Sequence, residues 1–161
     1  SRVAAWQPLA RHRAITLGLV APGGPAYART VPTAVDQALD ALIDNAVKFS
    51  GAGGEVTVTV AVRDGGVALE VRDTGPGMTE SQLGQATERF WRAPDVQNMD
   101  GAGLGLTIVA VLVDASDGRL TMRTGEPRGL VAGLWFPGPE GGPPEGAAAD
   151  AAPQGLPAAA G

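Results

Sequence analysis

The sequence contains no cysteine, a single histidine and few aromatic residues. Phe, Trp and Tyr together make up 4% of its 161 residues. The absence of Cys excludes a disulfide framework, and it excludes a thiolate as metal ligand or nucleophile. Since 44% of the residues are hydrophobic, the chain has enough apolar material for a core, which must be built mostly from Val, Leu, Ala and Ile.

Basic residues are also few: the sequence has 12 Lys and Arg and 17 Asp and Glu. The resulting net charge of −5 argues against nucleic acid as a main partner. No apolar run approaches the length of a membrane span, and no secretory signal is visible. A chain of this length is expected to form one domain.

The two ends of the chain differ in composition from its middle. Residues 137–161 include 20 Pro, Gly or Ala among 25 residues, and such a segment buries too little apolar surface to offset the entropy of ordering. We therefore predict a disordered tail over 137–161 and a folded domain over 14–136. Residues 1–13 show no clear pattern and are assigned to a connection that precedes the domain.

A strand that stops on a carboxylate stands near the middle of the sequence. Hydrophobic residues alternate along 67–72, as in a half-buried strand, and the alternation ends at Asp73. Gly75 and Gly77 flank Pro76, so the chain must turn there with little side-chain bulk. Two interpretations remain open for this motif alone: an acidic group placed for a small ligand, or a plain surface turn.

An amphipathic helix is predicted over 33–49. Thr33 and Asp36 resemble a capping box at its start. One stripe at helical spacing is apolar and predicts the core face: Val35, Leu39, Leu42, Ile43 and Ala46. A second stripe is formed by Ala41, Asp44, Asn45 and Lys48. This stripe is either an ordinary solvated face or a functional one, and Asn within a helix favours function because it competes for backbone hydrogen bonds.

A second glycine motif, GAGLGL at 101–106, precedes an apolar helix predicted over 107–116. Glycines at a helix N-terminus expose backbone N–H groups beside the positive end of the helix dipole, which suits phosphate. A close-packed helix start is the alternative explanation. Between the two glycine motifs, Thr79 and Gln82 are predicted to cap a short helix. The aromatic and arginine-containing segment 88–100 is predicted to form a lid over an anionic ligand.

The remaining pattern predicts the fold class. Four further strands are predicted at 14–20, 55–62, 119–124 and 130–136, with a hairpin turn at 63–66. Hairpins beside helices indicate an α+β fold, with helices on one face of a mixed sheet. A dinucleotide-binding fold is disfavoured because the glycine motif does not follow a strand, and no P-loop sequence is present.

Taken in order, the motifs LDALIDNAVKFS, DTGPGM, ERFWR and GAGLGL resemble the catalytic, ATP-binding domain of bacterial sensor histidine kinases. That family belongs to the wider class shared by gyrase, the Hsp90 chaperones and MutL. The resemblance implies a two-layer α/β sandwich with a mostly antiparallel five-stranded sheet, about three helices on one face and a flexible ATP lid. It also implies Mg²⁺ and ATP as cofactors.

The resemblance further implies roles for individual residues. Asn45 matches the magnesium ligand and Lys48 the phosphate contact, and both are the candidate catalytic residues. Asp73 matches the carboxylate that accepts a hydrogen bond from the adenine amino group. The other matching positions contribute to the nucleotide site, and they are Phe49 beside the nucleotide, Gly75 and Gly77 of the first glycine box, Phe90 and Arg92 of the aromatic box, and Gly101, Gly103, Leu104, Gly105 and Leu106 of the second glycine box.

Some positions depart from the family pattern. Ala41 stands where a second Asn is common and where the gyrase-like ATPases have a general-base Glu, which argues against ATP hydrolysis by an activated water. Leu130 stands where a polar residue near adenine is usual. Ala102 replaces a common Ser or Thr, and Ser116 begins a segment where His-Gly-Gly is common.

The phosphoacceptor histidine is missing from the sequence, since His12 lacks the H-E-x-x-x-P context of the family. We therefore expect this sequence to be part of a longer protein whose own dimerisation and phosphoacceptor domain precedes it. The partners implied by the resemblance are that domain, in a homodimeric parent protein, and a response regulator. The resemblance implies that this domain is cytoplasmic. It also implies a parent protein anchored in the bacterial inner membrane, as sensor kinases of this type often are.

Two alternatives stay open at this point. Anti-sigma-factor serine kinases share the Asn-bearing helix and the glycine boxes, although the aromatic box over 90–92 favours a histidine kinase. A nucleotide-free interaction module that keeps the fold is the other alternative.

Overall fold

The computed structural model describes residues 2–84 and 101–139, with the backbone alone over 101–107. Within these ranges a five-stranded sheet is covered by three long helices. The helices are α1 (Arg2–His12), α2 (Ala34–Ser50) and α3 (Gly101–Ala115), and the strands are β1 (Thr16–Val20), β2 (Glu55–Arg63), β3 (Gly66–Asp73), β4 (Arg119–Thr124) and β5 (Leu130–Pro137).

The strands lie in the order β1-β2-β3-β5-β4. The β1–β2 pair is parallel and the other three pairs are antiparallel. At the β2–β3 hairpin, Asp64 and Gly65 have φ angles of 52° and 74°. Positive φ at both central residues belongs to the two-residue turn that matches the twist of a hairpin. The predicted α+β fold with a mixed, mostly antiparallel five-stranded sheet is confirmed.

One face of the sheet packs against the helices because the strand residues alternate in character. On β3, Val67, Leu69 and Val71 are buried in the main core, whereas Glu70 points to the opposite face and pairs with Arg123 there. The helices contribute the other half of the core, chiefly Leu42 and Ile43 of α2 and Val109 and Val113 of α3 in a larger cluster. Asp73 lies two residues after Val71 and therefore on the same face of the strand, so its carboxylate also points toward the helix layer.

Helix α1 was not expected from the sequence. Pro8 lies inside it, and a proline removes a backbone donor and usually argues against a helix interior. The helix is nevertheless part of the folded unit, because Val3 and Ala10 are buried in the same core as the sheet. The assignment of residues 1–13 to a connection with a preceding domain stays a prediction.

A polar cluster around Asp40 attaches α1 to α2. Asp40 Oδ1 accepts hydrogen bonds from Trp6 Nε1 at 2.9 Å and from Arg2 Nε at 3.1 Å, and Oδ2 pairs with the Arg2 guanidinium. Partial burial raises the pKa of Asp40, but the bonds from Arg2 and Trp6 outweigh that effect and lower this pKa below its ordinary value. The carboxylate thus stays ionised and holds the two helices together.

The predicted capping box at the start of α2 is wrong. Thr33 has a φ of 62° and its side chain makes no capping hydrogen bond. In this left-handed conformation the hydroxyl instead accepts a bond of 2.7 Å from Gln37 Nε2, one turn later. The cap predicted at Thr79 is confirmed, since its hydroxyl accepts from the Gln82 N–H at 3.1 Å and its own N–H donates to Gln82 Oε1 at 2.9 Å.

Helix α3 begins at Gly101, six residues before the predicted start at Thr107. The prediction began the helix too late because glycine has a low intrinsic helix propensity, which is only a weak guide to where a helix begins. The glycines of the second box therefore form the first turns of the helix and do not precede it. Among the described residues, no helix combines the length and apolarity needed to cross a membrane.

Replacing Trp6 with Phe should lower the free energy of unfolding by at least about 1 kcal/mol, because an aromatic ring is kept while the bond to Asp40 and part of the indole contact are lost. The pKa of Asp40 is lowered by folding, so the stability it contributes is present above the ordinary carboxyl pKa and is lost as the pH falls through the lowered value. Urea unfolding at neutral and acid pH measures this difference. Trp135→Phe, which removes an exposed bond to the Arg63 carbonyl, is the control, and an equal Trp6→Phe loss at both pH values would contradict the assignment.

Candidate functional site

A cavity of about 360 Å³ lies between α2, the sheet and the segment that follows β3. Its walls combine apolar side chains with three polar ones. The lining residues are Leu42, Asn45, Ala46 and Phe49 of α2, Val71 and Asp73 of β3, Pro76, Gly77, Met78 and Gln82 of the following segment, and Met122, Leu130 and Ala132 of β4 and β5.

The sheet forms the floor of the cavity through one cross-strand row. Val71 lies opposite Ala132, and Ala132 lies opposite Met122. Because directly opposed residues point to the same face of a sheet, these three side chains present a continuous apolar surface. Small Ala132 between two larger side chains leaves the space that the cavity occupies.

Asp73 is the polar group at the end of this floor, and only 4% of its surface is exposed. Its Oδ1 accepts two backbone hydrogen bonds, from Gly75 N–H at 2.9 Å and from Leu130 N–H at 3.3 Å. Within the described residues no protein group donates to Oδ2. One oxygen is thus fixed by the backbone, and the other is available to a donor in the cavity.

Burial raises the pKa of the Asp73 carboxyl above its ordinary value, although the two backbone bonds favour the ionised form and oppose the shift. The direction follows from desolvation, which penalises a charge more than its neutral form. A carboxylate whose desolvation is only partly compensated attracts a donor strongly, because a ligand N–H would restore an interaction that water no longer supplies.

Two glycines of the first box are required by close approach of the backbone. A Cβ on Gly75 would lie 2.4 Å from the carbonyl oxygen of Phe49 at the end of α2. A Cβ on Gly77, whose φ is 74°, would lie 2.7 Å from the carbonyl oxygen of Gly129. The turn after β3 therefore packs directly against both α2 and the β4–β5 loop, and no larger residue fits at either position.

Helix α2 supplies the wall opposite Asp73. Asn45 lines the cavity, and its side-chain amide has no hydrogen-bond partner among the described residues. Phe49 also lines the cavity while remaining 55% exposed. An unpaired amide oxygen fits a magnesium ion, which prefers oxygen ligands and takes few of them from protein when phosphates and water supply the rest.

Lys48 lies away from the cavity, although the sequence grouped it with Asn45. Its ammonium pairs with Asp44 at 2.8 Å, and it borders a shallow cleft on the other side of α2 together with His12 and Arg13. Its role as a phosphate contact stays a prediction.

Several predicted site residues fall where the structure gives little or no description. Phe90, Arg92 and the lid predicted over 88–100 lie outside the described residues. For Gly101, Gly103, Leu104, Gly105 and Leu106, the backbone is helical and the side chains are not described. The structure therefore brings together Asn45, Phe49, Asp73, Gly77 and, through its N–H, Gly75.

The sequence did not identify the apolar half of the site. Met78, Met122 and Ala132 line the cavity, but none of the three is among the site residues predicted from the sequence. Met122 alternates with Leu120, and Ala132 with Leu134, and this alternation is the signal that could have placed them on a core face. Without the strand order, that signal does not tell which core residues lie beside Asp73.

Comparison with known proteins agrees with this architecture. Residues 30–140 match the family described as "Histidine kinase-, DNA gyrase B-, and HSP90-like ATPase". The chain belongs to this ATPase family. The resemblance stated from the four motifs is thereby confirmed, and the family is one that binds ATP.

Relatives of this ATPase domain include sensor kinases. Sensor protein CreC of Escherichia coli K12 is 34% identical over 103 residues, which cover 64% of this chain and 22% of CreC. Sensor histidine kinase component HK1 of Mycobacterium tuberculosis H37Rv is 41% identical over 87 residues, covering 54% of this chain and 51% of that protein. The solved full-length ShkA in complex with AMPPNP is 28% identical with a TM-score of 0.70, covering 85% of this chain and 28% of ShkA. The chain thus spans at most about half the length of these relatives.

Replacing Asp73 with Asn should raise the Tm at neutral pH, because Asn removes a buried charge whose desolvation is only partly compensated. Folding raises the pKa of Asp73, so the native state binds the proton more tightly and loses stability as the pH rises through the ordinary and then the raised pKa. Asn still accepts from both N–H groups and carries no charge at any pH. Its Tm advantage over the wild type should therefore vanish at acid pH, where Asp73 is protonated.

Thermal unfolding across this pH range tests the sign. Asp73→Ala is the matched variant, and it should lower stability by about 1–3 kcal/mol because two backbone donors lose their acceptor. If Asn lowers the Tm as much as Ala does, the charge itself stabilises the fold and the sign is wrong.

Proposed function

We propose that this domain binds Mg–ATP in the cavity and presents the γ-phosphate to a histidine on a separate phosphoacceptor domain, as the catalytic domain of a sensor histidine kinase. The observation that carries the proposal is the buried Asp73, whose Oδ2 has no donor among the described residues and lies at the end of an apolar cavity. Family membership and relatives named as sensor kinases support it.

The chemistry of Asp73 favours adenine over guanine. The six-membered ring of adenine carries an amino group, which donates to a carboxylate oxygen, whereas guanine carries a carbonyl at that position and would face Asp73 with an acceptor. The surrounding Met78, Met122 and Leu130 offer apolar contact to the faces of a flat base. A site built to pair with an amino group rejects an analogue that lacks it more strongly than an apolar pocket does.

The triphosphate would extend toward Asn45 and the start of α3. Asn45 would supply one oxygen to magnesium, and the bound ion would neutralise charge on the phosphates. Backbone N–H groups in the first turn of α3 would donate to the same phosphates, since they have no partner within their own helix. Lys48 would contact the phosphates only after its ion pair with Asp44 is broken.

Phosphoryl transfer then requires positioning more than covalent chemistry from this chain. A nitrogen of the acceptor imidazole attacks the γ-phosphorus, the bond to the β–γ bridging oxygen breaks, and ADP leaves. The imidazole loses its proton to solvent and carries the new phosphorus–nitrogen bond. The α2 position that holds the general-base Glu in gyrase-like ATPases is Ala41 here, which has no carboxylate to activate water, so transfer to a protein acceptor is favoured over hydrolysis.

The rest of the kinase lies beyond this domain. The proposal includes a homodimeric parent protein that carries the phosphoacceptor histidine, relay of the phosphate to a response regulator, and a cytoplasmic position in a protein anchored in the bacterial inner membrane. Support comes from the relatives named as sensor kinases, of which the matched region is one part.

Asp73→Asn should weaken ATP binding at least about tenfold, because an ionic hydrogen bond is replaced by an amide that turns a donor toward the adenine amino group. Competition titrations against a fluorescent ATP analogue, with ATP and GTP as competitors, measure the effect. GTP should compete weakly with the wild type and better with the variant, because the Asn amide donor would face the carbonyl of guanine. No saturable ATP binding by the wild type at millimolar nucleotide, or equal ATP affinity in both proteins, would rule out the assigned site.

Asn45→Ala should remove the magnesium dependence of ATP binding and abolish transfer to an added phosphoacceptor domain. Asn45→Asp keeps an oxygen ligand and should retain the magnesium dependence, while Gln37→Ala, on the same helix outside the cavity, is the control. The transferred phosphate should be released by acid, as expected of phosphohistidine. Acid-stable phosphate would indicate a serine kinase, and unchanged transfer by Asn45→Ala would remove Asn45 from the site.

A further inference from the structure

The loop between β4 and β5, residues 125–129, is joined to the turn after β3 by an arginine side chain. Arg128 Nε donates a hydrogen bond of 3.0 Å to the carbonyl oxygen of Gly75. Arg128 is otherwise exposed and does not line the cavity. The side chain therefore contacts neither the cavity nor the core, and its described partner is the backbone of the glycine turn.

Gly75 is bound from both sides as a result. Its N–H donates to Asp73 Oδ1, and its carbonyl accepts from Arg128. The second donor to Asp73 Oδ1 is the N–H of Leu130, which lies two residues after Arg128 at the start of β5. The turn and the loop thus hold one carboxylate oxygen from two directions, and Arg128 fixes the spacing between these two segments.

The packing around this contact leaves little freedom. Gly129 has a φ of 96°, and a Cβ there would lie 1.9 Å from the carbonyl oxygen of Asp73. The loop is anchored on its other side by the Arg72 guanidinium, which donates to the Glu126 carbonyl. A displacement of the loop would move the Leu130 N–H and leave Asp73 Oδ1 held by the Gly75 N–H alone, so that the carboxylate could rotate more freely.

We infer that Arg128 is a positioning residue for adenine recognition, acting through Gly75 and Leu130 to keep Asp73 Oδ2 directed into the cavity. This inference rests on the proposed function. It predicts that Arg128 affects the base of the nucleotide and not its phosphates, because the guanidinium acts on the orientation of Asp73. It also predicts that the hydrogen-bond donor at Nε matters and that the positive charge does not.

Three substitutions separate the donor from the charge. Arg128→Gln removes the charge but keeps an N–H donor on the atom bonded to Cδ, where Arg carries Nε. Arg128→Lys keeps the charge and places a methylene at that atom. Arg128→Ala removes both. Arg123→Ala is the matched control, since Arg123 pairs with Glu70 on the opposite face of the sheet and its loss changes the net charge equally.

Competition titrations with ATP, GTP and adenosine, together with the Tm of each protein, test the inference. Arg128→Ala and Arg128→Lys should weaken ATP and adenosine binding by the same factor, about three- to tenfold, the size of one modest hydrogen bond. GTP binding should be unchanged, Arg128→Gln should remain within about twofold of the wild type, and Arg123→Ala should match the wild type.

Each contrary pattern has a distinct meaning. If Arg128→Ala weakens ATP but leaves adenosine unchanged, and Arg128→Lys restores ATP binding, the arginine acts on the phosphates by charge and the inference is wrong. It is also wrong if ATP and GTP weaken together with a large fall in Tm, which indicates a general structural role. Wild-type protein that binds no ATP refutes the proposed function, whereas wild-type affinity in all Arg128 variants refutes the positioning role alone.

Discussion

The structure depends on the stabilisation of one buried carboxylate. Asp73 brings a charge to the edge of the core, where desolvation is unfavourable, and the backbone compensates with two N–H donors to the same oxygen. Those donors come from segments more than fifty residues apart in the chain. They meet only because β5 lies between β3 and β4, which brings the β4–β5 loop beside the turn that follows β3. Strand order, loop conformation and site chemistry are therefore linked through one oxygen atom.

The site also divides its roles between the layers of the fold. The sheet provides a fixed apolar floor and the carboxylate at its end, both held by ladder hydrogen bonds. Helix α2 provides an amide and an aromatic ring across the cavity, and its position is set by the core and by α1. A ligand with a flat apolar part and an anionic part would use both layers at once. Groups on rigid elements keep their geometry better than groups on loops do.

Local sequence patterns were sufficient for the sheet and insufficient for the contacts between its parts. Local patterns predicted all five strands, and the carboxylate at the end of β3 was visible because the alternation along that strand stopped there. Pro8 hid α1, since its local effect opposes a helix whose stability comes from burying Val3 and Ala10. The cavity contribution of Met122 and the bond from Arg128 to Gly75 depend on strand order and loop conformation. Neither is encoded within a short window of residues.

The hairpin turn at Asp64 and Gly65 has an effect that reaches far beyond its two residues. The turn fixes which residue of β3 faces which residue of β2, ending with Val56 opposite Asp73. A slip of one position would send every β3 side chain to the other face, and Asp73 would then point away from α2 into solvent. The orientation of the carboxylate is thus decided at the opposite end of the strand, about 25 Å away at roughly 3.3 Å per residue. A substitution that disrupts this small surface turn would impair ligand recognition, although the turn contacts no part of the cavity.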